Sequence, residues 1–203
     1  VGGLGDAGCF SFHPRKVVTT GEGGMVTTNH NDLADSVRSL RNHGSTGITS
    51  PELPRGPWTM ASFDRLGFNL RMSDIQGAVG VAQIEKLTKL LEERRANARH
   101  YSELLADIEE IARPTDNIDC TGHSFQSYVI RLLKGGRERR NHIMKILAEE
   151  DISTRPEKYS VPESAYRIAL DCEQTTITLP LYPGMPDSDR KRVVDSIRKA
   201  LTS

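Results

Sequence analysis

The first thirty residues hold one lysine between two short strand-like runs, and this arrangement constrains what the chain around it can become. Gly8-Cys9-Phe10-Ser11-Phe12 alternates small and aromatic side chains, a period of two that puts Cys9 and Ser11 on one face and Phe10 and Phe12 on the other. Pro14 has no N–H for a sheet ladder, so the strand should stop near His13 and deliver Lys16 to a turn. Gly21, Gly23 and Gly24 permit a tight return before Met25-Val26-Thr27-Thr28 resumes extended backbone.

A lysine on a loop is ordinarily only solvated. Here a serine hydroxyl stands near it at a strand end, under a glycine-rich return. That is the setting in which an amine reaches an aldehyde, with Ser11, Thr19 and Thr20 available to a phosphate and glycines allowing close approach of the backbone. At the ordinary lysine pKa of about 10.4, roughly one amine in 2,500 is neutral at pH 7, so a working amine needs desolvation or a cationic neighbour. Arg15 is adjacent in sequence.

Ser11-Phe12-His13-x-x-Lys16 with Gly21-Glu22-Gly23-Gly24-Met25-Val26 resembles the lysine motif of the DegT/DnrJ/EryC1/StrS sugar aminotransferases, which depend on pyridoxal 5'-phosphate (PLP). Arg41-Asn42-His43-Gly44, the run from Gly67 through Asn69, Arg71, Ser73 and Gln76 to Ala78, and Leu179-Pro180-Leu181-Tyr182-Pro183-Gly184-Met185 are similar to further family segments in the expected order. The resemblance implies an α/β fold: the end of the large domain of a fold-type I PLP transferase (1–90), then a small C-terminal α/β domain (91–203), joined by a long helix. It implies that Lys16 is catalytic and holds PLP, that Ser11 binds the cofactor phosphate, and that Asn69 reaches across a homodimer to the partner's cofactor. Arg71, Arg155 and Tyr159 fall where substrate could be met, although Arg155-Pro156-Glu157-Lys158-Tyr159 departs from the family's commoner histidine-tyrosine pattern.

The same resemblance implies transfer of an amino group from an amino acid, by expectation glutamate, to a keto-sugar nucleotide in polysaccharide or amino-sugar biosynthesis. Family members are about twice this length and the likeness begins just upstream of Lys16. The first half is therefore expected to be missing, which an opening Val1 in place of Met fits. The group that stacks on the cofactor and the acidic partner of its ring nitrogen would lie in that half. Relatives that dehydrate sugars replace the lysine, so Lys16 favours transfer. The non-enzyme alternative is an interaction or regulatory module, or an inert fragment.

Charge restricts partners. Lys plus Arg number 27 against 27 Asp plus Glu, which gives no basic excess for nucleic acid or an anionic membrane. Cys9, Cys120 and Cys172 form no C-x-x-C pair, so neither a disulfide framework nor a metal site is indicated, and a reducing cytoplasm is expected. No run approaches the eighteen or so apolar residues of a membrane-spanning helix.

Asn31 is expected to cap a helix with apolar Leu33, Val37 and Leu40, packed on the sheet and ended by Gly44. Residues 45–62, around Trp58, read as a long irregular connection, with Trp58 either shielding a ligand or standing at a surface or interface. Ser73-Asp74-Ile75-Gln76 is a capping box opening a helix whose apolar positions recur to Ile108, with a break expected near Glu92-Glu93-Arg94-Arg95, a solvated charged stretch, and an end at Arg113-Pro114. A strand over 125–133, a helix over 137–149, a short strand near 152–154, a strand over 175–182 and a helix over 188–201 follow. His13 and His43 are assigned structural hydrogen bonding, and Met25 and Met185 are taken as core fillers.

Overall fold

In the computed structural model, residues 2–47, 60–114, 122–156 and 166–203 are described. The chain divides into two compact units, Val1–Leu87 and Thr88–Ser203.

The first unit is built on the predicted hairpin. β1 (Gly8–Ser11) pairs antiparallel with β2 (Gly24–Thr27), Gly8 opposite Thr27 and Ser11 opposite Gly24. α1 (Asn31–Leu40) follows. Its N-cap is His30, not Asn31, and the chain enters it through a Thr28 hydroxyl that accepts the His30 N–H at 3.0 Å. The helix ends at Leu40, before Gly44. The positive φ of Gly44 (77°) serves a different end, a close crossing of Gly44 with Arg65 and Gly67 that leaves no room for a Cβ on either glycine. Of the α1 side chains only Ser39 is buried, so the expected packing of Leu33, Val37 and Leu40 into a core is not made among the described residues. β3 (Ser45–Gly47) and β4 (Ser62–Phe63) form a second small hairpin. The first unit closes with α2 (Asp74–Glu85), opened by the capping box as predicted. Trp58 lies outside the described residues.

The helical stretch after Ser73 is two helices. α2 stops at Glu85, the Lys86 N–H turns back to the Gln83 and Ile84 carbonyls, and α3 (Leu87–Leu104) starts at once. The break thus falls before the charged run near residue 93, and the run itself is not all solvated. Arg94 is buried and donates to the Phe125 and Leu181 carbonyls at 3.1 and 3.3 Å, because α3 is part of the core of the second unit rather than an exposed connector.

That core is well formed. β5 (Ile111–Ala112), β6 (Tyr128–Leu132) and β7 (Thr176–Leu179) make an antiparallel sheet in the order β5-β6-β7, with Ile130 opposite Ile177. α4 (Gly136–Glu149), α5 (Arg167–Thr175) and α6 (Asp187–Thr202) complete the unit. Tyr101 and Leu105 of the α3 region meet Ile143 and Leu147 of α4 and Val194 and Ile197 of α6 in one buried cluster with the sheet. Residues 152–154 form no strand; Arg155 makes a single bridge to Thr178. The strand expected from 175 begins at Thr176, since Thr175 ends α5, a helix that its sequence did not announce. Met185 is buried as expected, whereas Met25 is exposed on β2. Among the described residues no helix is long and apolar enough to cross a membrane, and no group of three or more His, Cys, Asp or Glu could hold a metal ion.

Candidate active site

Lys16 sits in the loop between β1 and β2, and the loop is held by its own backbone. The Phe12 N–H donates to the Gly23 carbonyl (2.9 Å), Thr20 N–H to the Phe12 carbonyl (3.0 Å) and Lys16 N–H to the His13 carbonyl (2.9 Å). The Lys16 side chain is exposed, and among the described residues its ammonium has no ion-pair partner. His13 is structural: its Nδ1 accepts the Arg15 N–H at 3.2 Å, and its Nε2 stands 3.9 Å from Glu22.

The hydroxyls divide by task. Ser11 Oγ, exposed, accepts the His13 N–H at 3.4 Å, which leaves its own O–H free to donate. Thr19 and Thr20 do not match Ser11 as phosphate donors, because the loop uses both of their protons. Thr19 Oγ1 donates to the Phe12 carbonyl (2.9 Å) and accepts from Gly21 N–H, while Thr20 Oγ1 donates to the Glu22 carbonyl (2.8 Å) in a buried position.

Asn69 and Arg71 lie on an extended segment stitched to the end of α1. Phe68 N–H donates to the Leu40 carbonyl (2.7 Å), His43 N–H to the Phe68 carbonyl (2.8 Å) and Leu70 N–H to the Arg41 carbonyl (2.9 Å). Asn42 bridges Asn69 and accepts a 2.7 Å hydrogen bond from the Arg71 guanidinium, which fixes one edge of that fork. His43 takes a left-handed φ of 61° at this crossing. The Asn69 side chain is exposed.

A groove of about 490 Å³ lies between the return arm of the loop and the Arg71 segment, with Phe10, Glu22, Gly23, Arg41, Arg71 and Gln76 in its wall. Lys16, Ser11 and Asn69 do not line it. Arg155 belongs to the second unit, where its backbone pairs with Thr178 and its side chain is exposed. Tyr159 lies outside the described residues. Reading the sequence alone missed two residues here. Asn42, within the Arg41–Gly44 segment, carries no sequence signal for its bond to Arg71, and Gln76 reads from sequence only as a helix cap.

Lys16 offers an exposed amine, Ser11 a hydroxyl with an uncommitted proton, and Arg71 the N–H groups left after its bond to Asn42.

The profile of the DegT/DnrJ/EryC1/StrS aminotransferase family matches residues 1–198. The chain is 34% identical over 211 residues to the GDP-perosamine synthase of Caulobacter vibrioides, covering 98% of this chain and 54% of that protein. It is 30% identical over 212 residues to the dTDP-4-dehydro-2,3,6-trideoxy-D-glucose 4-aminotransferase of Saccharopolyspora spinosa, with the same two coverages of 98% and 54%. It therefore spans about half the length of these curated relatives. The PMP form of Spr1654 from Streptococcus pneumoniae superposes with a TM-score of 0.86 at 22% identity, over 98% of this chain and 54% of that one, which establishes the α/β fold they share. The chain belongs to the DegT/DnrJ/EryC1/StrS aminotransferase family.

Proposed function

We propose that the protein is a PLP-dependent aminotransferase that moves an amino group from an amino acid, glutamate being the expected donor, to a keto-sugar nucleotide. The observation that carries this reading is Lys16, an exposed amine on a hydrogen-bonded turn five residues after a serine hydroxyl with a free proton, within a chain of this family. The relatives' names, a GDP-sugar synthase and a dTDP-sugar 4-aminotransferase, support a nucleotide-linked sugar as the acceptor. In this reading residues 1–90 contribute to the cofactor domain and 91–203 form a smaller domain.

Lys16 would hold the cofactor, Ser11 would donate to its phosphate, and Asn69 would serve the site of a second copy in a homodimer. When bound, PLP supplies the electron sink that lets a bond to the amino-bearing carbon break. The protein's part is proton transfer and placement. Lys16 Nζ would take the proton from the amino-bearing carbon, and the backbone hydrogen bonds of its turn fix the main chain from which that amine extends. Arg71, with one edge of its guanidinium tied to Asn42, offers its other N–H groups to an anion. Arg155 and Tyr159 are assigned to the sugar nucleotide.

The test, made on the full-length protein, is incubation with PLP, borohydride reduction and peptide mass analysis, followed by turnover with glutamate and 4-keto nucleotide sugars. The expected result is a reduced pyridoxyl adduct on Lys16 and an amino-sugar product. Lys16→Ala should lose both, with the loss of turnover in kcat. A soluble Lys16→Ala protein with near wild-type turnover would overturn the proposal, and a wild type that neither traps PLP nor transfers nitrogen would favour an interaction module.

A further inference from the structure

Gln76 is engaged at both ends of its side-chain amide. Its Oε1 accepts the Ser73 N–H at 2.9 Å and the Ser73 hydroxyl at 3.1 Å, while Ser73 Oγ accepts the Gln76 N–H at 3.3 Å, which completes the capping box of α2. A capping box needs nothing more, and glutamate serves in it as well as glutamine. Yet the Nε2 of Gln76 donates at 3.0 Å to the carbonyl of Glu22, on the return arm of the Lys16 loop. The opposite amide orientation would set donor against donor at Ser73 and acceptor against acceptor at Glu22, so the network fixes which end is nitrogen.

The bond falls at a junction. The Glu22 carbonyl also accepts the buried Thr20 hydroxyl (2.8 Å), so both of its lone pairs are used. Thr20 N–H and Thr19 Oγ1 both donate to the Phe12 carbonyl, and Phe12 N–H donates to Gly23. Gly23 is packed so closely that an added Cβ would stand 2.5 Å from Thr20 Oγ1 and 3.0 Å from Met72 Cε. The two arms of the loop that carries Lys16 are thus bonded to each other, and the pair is tied to the first turn of α2 through one amide.

We propose that Gln76 is a positioning residue: through the Glu22 carbonyl it holds the Lys16 loop in the geometry that cofactor capture requires. This rests on the reading of Lys16 as the residue that holds PLP. Three variants separate the tether from the cap. Gln76→Glu keeps the capping acceptor and loses the donor to Glu22. Ser73→Ala loses the cap and keeps the tether. Thr20→Val removes the other donor to the same carbonyl.

Hydrogen exchange of the PLP-free protein should show faster exchange in residues 12–24 for Gln76→Glu and Thr20→Val, by about fivefold to tenfold, the size of one lost hydrogen bond, with residues 74–78 unchanged in Gln76→Glu. Ser73→Ala should show the reverse pattern. The rate at which PLP is trapped on Lys16 should fall about tenfold in Gln76→Glu and stay within about twofold of wild type in Ser73→Ala. A wild type that captures PLP while Gln76→Glu matches it in both exchange and capture would overturn the positioning role alone. So would Ser73→Ala reproducing the Gln76→Glu pattern, since Gln76 would then be only a cap. A wild type that captures no PLP would instead overturn the cofactor reading on which the role rests.

Discussion

Ser11 and Thr19 are both hydroxyls within eight residues of one another, and the structure predicts opposite consequences for removing them. Ser11 has a proton to give and stabilises little; Thr19 spends its proton on the Phe12 carbonyl and its lone pair on Gly21 N–H. Ser11→Ala should therefore raise the apparent Kd for PLP by about tenfold or more, the scale of one hydrogen bond to a charged group, and leave exchange of the loop amides unchanged. Thr19→Val should loosen the loop while its effect on the phosphate is indirect. Equilibrium titration with PLP beside amide exchange checks both, and an unchanged Kd for Ser11→Ala would remove it from the site. The placement of Ser11 at a strand end and of Lys16 in the turn after it was legible in the sequence because strand periodicity, Pro14 and the glycines are local signals. The spending of the threonine protons was not, since it depends on which carbonyls the folded loop brings within 3 Å. Gln76 was half legible for the same reason. Its cap is a contact over three residues, while its tether to Glu22 spans 54.

Elements were legible where period and punctuation agreed. The capping box started α2 at the expected residue, and Gly135, with φ 89°, is the N-cap through which the chain enters α4 after β6. The break between α2 and α3 was misplaced because it lies at Lys86, a good helix former with neither glycine nor proline beside it, and the break reflects which unit each helix packs into. β7 is short, because α5 runs to Thr175 directly before it, and mostly buried. Ile177 has no exposure and sits opposite Ile130, so Ile177→Ala should cost about 2–5 kcal/mol in denaturant unfolding of the second unit. Between α4 and α6, the Lys199 ammonium at 2.6 Å and the Ser196 hydroxyl hold the Glu150 carboxylate below the ordinary carboxylate range. A depressed carboxylate stabilises the fold above its unfolded pKa of about 4.3, and that contribution is lost as pH falls through the folded value. The thermal midpoint of the second unit should thus drop as pH falls below about 4. Glu150→Gln should lie lower at neutral pH and lose part of that acid slope; a variant with the full wild-type slope would show the pair to be inert.

At the scale of the whole molecule the two units differ in how they are covered. Of the buried apolar side chains among the described residues, only Val18 lies in the first unit, and the rest form the cluster of the second. The first unit instead exposes Met25 and Val26 on β2, Phe68 and Leu70 beside Asn69, and Ile75, Val79, Val81 and Ile84 along α2, a helix with no buried side chain. Apolar surface on this scale marks an interaction site. Under the proposed function part of that contact is a second copy, with Asn69 serving the partner's cofactor, and this can be tested without a structure of the dimer. Lys16→Ala and Asn69→Ala should each be poor in turnover, because each homodimer carries two defective sites. Mixed under conditions that allow subunit exchange, they form heterodimers in which one site pairs an intact Lys16 with an intact Asn69 from the other chain. About half of the dimers in an equal mixture would be of this kind, so recovery should approach one quarter of the wild-type turnover per protomer. The assay is turnover against mixing ratio, with exchange confirmed by mass analysis of differently tagged chains. Full exchange without recovery would assign Asn69 to its own subunit's site or to none, and the exposed apolar face would then need a different partner.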